Sequence, residues 1–341
     1  MVKSWRRVGL VVNPSAGKDS AESLLSARKA MEKLGVQTVL TGQGHLGAAA
    51  MSGWPGEVQV HNTTDIPNRE ETRRLARWIL AQDPDAVIVV GGDGTLSDVA
   101  RVCIENGCRA PILGIGTGST NVGRLITCTG PRSGELELEE LELWSADCLF
   151  ATVGNELLGP GFNDVVIGQT VVGTLDGARK DLDAAARLHG RAIAGTPRSI
   201  GNSATQVTRT APGAHTIVAE GESVGTVITG FAEPVFFGKA VAGGVCLTTM
   251  AGLPAGCLVC DMPLAQVGLS VQYLLSAPPI VSKYVSLSEE INIVVEHVND
   301  GAVLCIDGNP LQLLRESDRI VISVRNQAVV GVHSKKELRS A

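Results

Sequence analysis

Aromatic side chains are scarce in this chain, with two tyrosines, four tryptophans and five phenylalanines in 341 residues, and none is interleaved with dense Lys or Arg. Basic residues number 29 against 35 acidic ones, for a net charge of −6. A nucleic-acid binder is excluded on both grounds, since such a surface needs clustered cations and stacking platforms. Long apolar runs are also missing. No segment approaches the roughly 18–20 residues of a membrane span, so no membrane association is expected. After the basic start Met1–Arg7, the apolar stretch stops at Asn13-Pro14, which is too short for a secretory leader. The eight cysteines are therefore read as reduced thiols of a cytoplasmic protein. Cys257-Leu-Val-Cys260 has no second pair at matching spacing and no histidine at finger-like distance, so it is read as two buried small hydrophobes, and no protein metal site is assigned. The six histidines are scattered, and no Ser-His-Asp hydrolase is expected.

What is present is glycine, 40 residues of it, with 44% hydrophobic and 19% charged content. This is the profile of a turn-rich globular protein. The length favours two domains over one core. Strands are expected at Arg7–Val12, Gln37–Leu40, Val58–Val60, Val87–Val90 and Pro111–Ile115, and helices at Ser20–Leu34, Arg69–Ala81 and Leu96–Glu105. That alternation predicts a doubly wound, Rossmann-like α/β domain over residues 1–125, with its site at the carboxyl ends of the strands. From Glu135 the pattern Glu-Leu-Glu-Leu-Glu-Glu-Leu-Glu-Leu-Trp and the frequent Val, Thr and Gly suit antiparallel strands and turns. A β-rich second domain is expected over 126–341, its C-terminal tail free to return to the first. Within it Leu175–Ile193, carrying Arg179, Lys180, Arg187 and Arg191, reads as a helical insertion with a solvated basic face, and Gly301–Val332 as three strands.

The most informative motif is Gly91-Gly92-Asp93-Gly94-Thr95, which ends the β-branched run Val87–Val90. Glycines there let backbone N–H groups approach a polyphosphate without Cβ obstruction, and a following helix N-terminus attracts anions. Asp93 would repel such a ligand unless it holds a metal ion or takes a proton from an attacking hydroxyl, and both roles belong to phosphoryl transfer. Taken alone, the pentapeptide could also be a tight turn with an Asp cap. Two companion turns lower that reading. Asn13-Pro-Ser-Ala-Gly follows the first strand and Gly116-Thr117-Gly118-Ser119-Thr120-Asn121 follows the strand at Pro111–Ile115, so three turns converge on one sheet edge. Gly17-Lys18 is not a Walker A element, because Val12 stands where its first glycine belongs. Further on, Phe162-Asn163-Asp164 precedes the apolar run Val165–Ile167, and Asp307-Gly308 lies in the closing strands.

In this order and spacing the motifs resemble the NAD kinase and diacylglycerol kinase superfamily, over most of the chain. Gly91–Thr95 is similar to its hallmark, Asn163-Asp164 to the Asn-Glu/Asp motif of NAD kinases, and Val303–Val332 with Asp307-Gly308 to their C-terminal Asp-Gly segment. Asn-Asp-Val-Val-Ile-Gly followed by Val-Gly-Thr most resembles the ATP-NAD kinase-like branch named for AcoX. The resemblance implies an NAD kinase-like fold and transfer of a phosphoryl group from ATP or polyphosphate, with Mg²⁺, to a ribose-type hydroxyl. NAD, giving NADP, is the first acceptor it implies. Asp93 would be the general base; Asn13, Gly91, Gly92, Gly94, Thr95, Gly116, Thr117, Gly118, Ser119 and Asn121 would hold the phosphates and nucleotide; and Asn163, Asp164 and Asp307 would bind the acceptor. Small nucleotides are the implied partners, and a homo-oligomer the expected assembly. Two departures bear on the acceptor. The Thr/Ser-rich stretch of NAD kinases has only Gly244–Gly256 as a counterpart, which opens a second reading with another small hydroxylated metabolite as acceptor. Asn309 stands where lipid kinases carry the glutamate of Asp-Gly-Glu, and an amide cannot act as that base. A third reading is a nucleotide-binding regulatory protein without turnover.

Overall fold

The computed structural model describes residues 4–16, 20–64, 68–118, 121, 123–176, 178–231, 252–263, 275–276 and 281–336. The chain forms two compact units, one comprising residues up to Asp147 together with those from Asn326 onward, the other Cys148–Arg325.

The first unit is built on β1 (Arg7–Val12), α1 (Ser20–Lys33), β2 (Thr38–Gly42), β3 (Glu57–His61), α2 (Arg69–Leu80), β4 (Ala86–Gly91), α3 (Asp93–Glu105), β5 (Ile112–Gly116), β6 (Ile126–Thr129) and the first half of β7 (Leu141–Val153). Its strands run parallel in the order β3-β2-β1-β4-β5. β6 continues the sheet beyond β5, and Gly331 of the last strand of the chain pairs in parallel with Ile112. β1, β4 and β5 are buried along nearly their whole length, as the runs of Val and Ile require of strands covered on both faces. Val8, Leu10, Val12, Ile88 and Val90 pack with Ala27, Ala30 and Met31 of α1 in one apolar cluster. On the other face a Cβ at Gly9 would lie 2.2 Å from Ile79 of α2, so this strand admits the helix only because it carries no side chain there. The strand order reverses between β1 and β4. In a doubly wound sheet the ligand crevice lies at that switch point, outside the carboxyl ends of the strands.

The second unit holds the end of β7, β8 (Glu156–Gly161), β9 (Asp164–Gly168), β10 (Thr170–Leu175), β11 (Ala178–Asp183), α4 (Ala184–Leu188), β12 (Gln206–Ala211), β13 (Ala214–Glu220), β14 (Thr226–Phe231), β15 (Ala255–Cys260), β16 (Ser282–Leu287), β17 (Asn292–Glu296), β18 (Val303–Ile306), β19 (Asn309–Leu313) and the start of β20 (Arg319–Ser334). One antiparallel sheet runs β13-β12-β17-β20 and another runs β16-β15-β14-β9-β18-β19. Val207, Ile293, Val295 and Ile320 of the first share one core with Val165, Ile167, Val227, Cys257 and Leu304 of the second. Val166, Ile228, Leu258, Cys260 and Cys305 line the opposite face of the second sheet with Leu182 and Ala184. An α/β unit and a β-rich unit thus make up the described fold.

Several expectations are corrected. The helix at Leu175–Ile193 is instead the β10–β11 hairpin followed by the five-residue α4. Leu175 pairs with Ala178, leaving a two-residue loop that starts on Asp176 at φ +52. Asp-Gly between two runs is a strong hairpin signal, and it outranks the helical spacing of the arginines. The alternation at Glu135–Trp144 forms 3₁₀ turns at Gly130–Glu135 and Leu138–Glu140, and strand begins only at Leu141. Leu136 and Leu141 are buried in the α1-side core of the first unit. Both belong to the first unit, whose first stretch runs to Asp147.

Candidate active site

β4 feeds directly into α3, which starts at Asp93, three residues earlier than the pattern from Leu96 indicates. Asp93 is therefore the first helical residue, with Gly92 as N-cap at φ −91 and ψ 177. The first N–H groups of a helix have no partner within it, and a carboxylate is favoured there by the helix dipole. Thr95 and Leu96 donate to Gly92 O at 3.0 and 3.2 Å, so Gly94 and Thr95 form the tight first turn.

The turn after β1 reaches across the switch point. Asn13 Nδ2 donates to Thr95 Oγ1 at 2.9 Å, its backbone N–H donates to Val90 O at 2.8 Å, and its Oδ1 accepts from Ser15 N at 3.0 Å. The turn after β5 locks onto the turn after β4 through Thr117 N–H to Gly91 O at 3.0 Å. Glycines permit this approach. A Cβ at Gly118 would lie 2.9 Å from Gly92 Cα, one at Gly116 would lie 2.8 Å from the Asn121 side chain, and one at Gly91 would lie 2.9 Å from the Thr95 side chain. Asn121, at φ +50, closes its own turn with Nδ2 donating to Gly118 O at 2.8 Å. Asn13, Gly91, Gly92, Asp93, Gly94, Thr95, Gly116, Thr117, Gly118 and Asn121 thus form one constellation at the strand ends. Ser119 lies outside the described residues.

Gly118→Ala and Gly92→Ala differ in expected effect, because a methyl at 118 meets backbone whereas one at 92 would sit an ordinary 3.6 Å from Gly118 Cα. Gly118→Ala is expected to destabilise the protein by about 1–3 kcal/mol, the usual cost of overpacking, and Gly92→Ala distinctly less. Denaturant melts of the two variants check this.

The motif reading did not reach Gly123 and Arg124, or Asp98. Gly123 N–H donates to Asp93 Oδ1 at 2.9 Å, fixing the carboxylate from the β5 side. The only signal for it was one more glycine in an already glycine-rich run. Asp98, one turn beyond Asp93 on α3, is buried and pairs with Arg69 at 3.0 Å and Arg73 at 2.7 Å on α2. This ties the helix that presents Asp93 to its neighbour.

In the second unit, Asp307 gathers the turn before β9. Its Oδ1 accepts from the backbone N–H of Phe162 at 3.1 Å, Asn163 at 2.7 Å and Asp164 at 3.1 Å, and Oδ2 accepts from Phe162 at 2.9 Å. Asp307 N–H returns a bond to Asp164 O at 3.0 Å. Asn163, Asp164 and Asp307 are therefore one structural group, in which the Asp307 carboxylate is engaged with backbone. Asn309 Nδ2 donates to Asp307 O at 3.2 Å. The Gly244–Gly256 counterpart segment lies largely outside the described residues.

The thiols separate by environment. Cys257 and Cys260 sit three apart on β15, one in each apolar cluster and so on opposite faces, and burial pushes them up to about 12 and about 11. That placement rules out a shared metal or disulfide. Cys108 differs: a hydrogen bond from the buried Cys103 thiol draws it down to about 6, aided by the Ala110 amide. Alkylation by iodoacetamide is therefore expected to be complete at Cys108 near pH 7, with a rate rising through about pH 6, while Cys257 stays unmodified until the protein unfolds. Peptide mapping after timed alkylation checks this. Among the described residues no group of three or more His, Cys, Asp or Glu could hold a metal ion, and no helix is long and apolar enough to cross a membrane.

Residues 7–126 match the family model of the diacylglycerol kinase catalytic domain. A protein of Archaeoglobus fulgidus whose function is uncharacterised is 30% identical over 308 residues, covering 89% of this chain and 92% of that protein. An NAD kinase of Clostridium botulinum is 31% identical over 143 residues, which span 42% of this chain and 38% of that enzyme. The crystal structure of a diacylglycerol kinase from Bacillus anthracis superposes with a TM-score of 0.52 at 14% identity, over 97% of this chain and 98% of that one, a likeness of fold. With a glycine-cradled aspartate at the switch point of an α/β unit and a β-rich unit beside it in sequence, the chain belongs to the NAD kinase and diacylglycerol kinase-like superfamily.

Proposed function

We propose that the protein is a kinase that transfers the terminal phosphoryl group of ATP, or of polyphosphate, to a ribose-type hydroxyl, with NAD the first acceptor and the AcoX-type branch its nearest subgroup. The observation that carries this reading is the placement of Asp93. Its carboxylate stands at the first residue of α3, at the carboxyl ends of β1, β4 and β5, between two glycine turns in backbone contact and held by the Gly123 amide. Glycine at 91, 116 and 118 lets the turns close onto Thr95, Asn121 and Gly92, where a Cβ would clash. In the transfer, the acceptor O–H gives its proton to Asp93, an O–P bond forms to the terminal phosphorus, and the bond from that phosphorus to the bridging oxygen breaks, leaving ADP or a shortened polyphosphate. Such catalysis requires positioning and charge neutralisation more than covalent chemistry.

Mg²⁺ usually enters such sites on substrate phosphates and needs only one or two protein oxygens. The Thr95 hydroxyl and the Asp93 carboxylate are donors of the right kind, and the ion would neutralise charge on the transferring group. Asn163 and Asp164 are assigned to the acceptor, and Asp307 to holding their turn. One feature favours a ribose acceptor over a lipid. The Asn309 amide, where a lipid kinase would carry its proton-transfer glutamate, is turned onto Asp307 O.

The test is a coupled assay for NADP formation with Mg²⁺, NAD and either ATP or polyphosphate. Formation of NADP supports the reading. Its absence, with a thermal shift on adding ATP or NAD, overturns NAD as acceptor and moves the search to other hydroxylated metabolites.

A further inference from the structure

A group of side chains that the motifs do not touch lies directly behind the Asp93 contact. Arg124 follows Gly123, and its guanidinium sits over the Trp144 ring at 5.1 Å from the centroid. Its Nη1 lies 3.9 Å from Asp147 Oδ2, with the Arg124 side chain only 15% exposed. Asp147 is itself fixed, since its Oδ1 accepts from Gln327 N–H at 2.9 Å. Trp144 stacks on His333 with centroids 4.5 Å apart and planes 16° from parallel. β20 makes room for the indole through Gly331, where a Cβ would lie 2.6 Å from Trp144 Nε1.

We propose that Arg124 and Trp144 are positioning residues for Asp93: the cation–π stack anchors Arg124 and thereby holds the Gly123 amide against the carboxylate. The contact being held is close. A Cβ at Gly123 would stand 2.6 Å from Asp93 Oδ1, so backbone alone can occupy that place. Gly123 O also accepts from Ile126 N–H at 3.0 Å, so the turn is pinned at both ends, by Ile126 on the β6 side and by Asp93 on the other. Between them lie the buried Leu125 and Arg124, and a largely desolvated cation–π contact is among the stronger ways to fix an arginine. A carboxylate loosened by a fraction of an ångström keeps its charge but loses alignment with the attacking hydroxyl, and misplacement of about 1 Å costs roughly 10²-fold. The inference rests on Asp93 acting as the base.

Arg124→Ala and Trp144→Ala are each expected to lower kcat about 10–100-fold with the KM for the phosphate donor within about twofold. Trp144→Phe, which keeps an aromatic face for the cation, is expected to restore most of the rate. A readout independent of turnover is hydrogen exchange of the Gly123 amide in ¹⁵N-glycine-labelled protein, expected to be protected in the native chain and in Trp144→Phe and faster in both alanine variants. Thermal melting verifies folding, and Arg124→Ala carries the test alone if Trp144→Ala does not fold, because Arg124 belongs to none of the apolar cores. Folded Arg124→Ala with native kcat and native Gly123 exchange overturns the inference. Turnover retained by Asp93→Asn overturns the base assignment instead, and Gly123 exchange then still decides whether the stack holds the turn.

Discussion

Asp93→Asn is expected to lower turnover by about 10²–10⁴-fold, the usual contribution of a positioned base, while the phosphate donor binds as well or better. The substitution is nearly isosteric. An asparagine Oδ1 can still accept from the Gly123 N–H that sits 2.9 Å from Asp93 Oδ1, and the residue stays at the first position of α3. What it removes is the capacity to take a proton and one negative charge. Losing a charge at a helix N-terminus costs about 0.3–1 kcal/mol of stability, which a melting curve separates from the loss of rate. Losing a charge beside a phosphate chain favours the donor. Kinetics and calorimetry on the same variant therefore answer different questions: a fall in kcat with intact donor affinity identifies a base, and kcat within about threefold of native removes Asp93 from that role. A nucleotide sensor would behave differently from the start, with no turnover in either protein and tighter binding in the variant.

Why Asp93 could be picked out from sequence is clear in the geometry. β-branched runs ending on glycine are local signals, and β1, β4 and β5 fall where Arg7–Val12, Val87–Val90 and Pro111–Ile115 indicate to within a residue or two. A sheet of parallel strands then places all their carboxyl ends on one edge, so three separate turns become one crevice without knowledge of any side-chain contact. The start of α3 was less legible. Gly92-Asp93-Gly94 contains two poor helix formers, yet the helix begins at Asp93 because Gly92 O takes the N–H groups of Thr95 and Leu96.

Other features depend on partners distant in sequence. Leu136 and Leu141 read as strand residues from the Glu-Leu alternation, and only their burial beside α1 assigns them to the first unit. The β10–β11 hairpin was legible in principle from Asp176-Gly177 but was outweighed by the spacing of basic residues, which in fact fall on β11, on the short α4 and, for Arg191, beyond it. Gly123, Arg124 and Trp144 carry no motif. Their arrangement arises because β6, the first half of β7 and the second half of β20 lie in one unit, a property of the whole fold. Asp307 was legible as important, yet its task was not, since nothing local says that its carboxylate faces the amides of residues 162–164.

That carboxylate supports the second large effect. Asp307→Ala is expected to destabilise the second unit by about 2–5 kcal/mol, because it leaves three backbone N–H groups without the oxygen they share, each worth about 1–3 kcal/mol when buried and unmet. It also places alanine at φ +49, where a Cβ without a compensating polar group costs about 1–2 kcal/mol. Asp307→Asn separates the two roles of the residue. Asparagine tolerates the left-handed conformation, and its single carbonyl oxygen, placed as Oδ1, can keep the contacts to Phe162, Asn163 and Asp164 that now measure 3.1, 2.7 and 3.1 Å. The Oδ2 bond to Phe162, 2.9 Å, is lost, and an NH2 group then faces that N–H. The asparagine variant is therefore expected to retain most of the stability and most of the turnover, and the alanine variant neither. If Asp307 instead contacts the acceptor through its charge, the order in kinetics changes: Asp307→Asn would melt like the native protein but show a KM for the acceptor raised about tenfold or more. Denaturant melts paired with acceptor kinetics on the two variants decide between an aspartate that shapes the turn and one that binds what the turn presents.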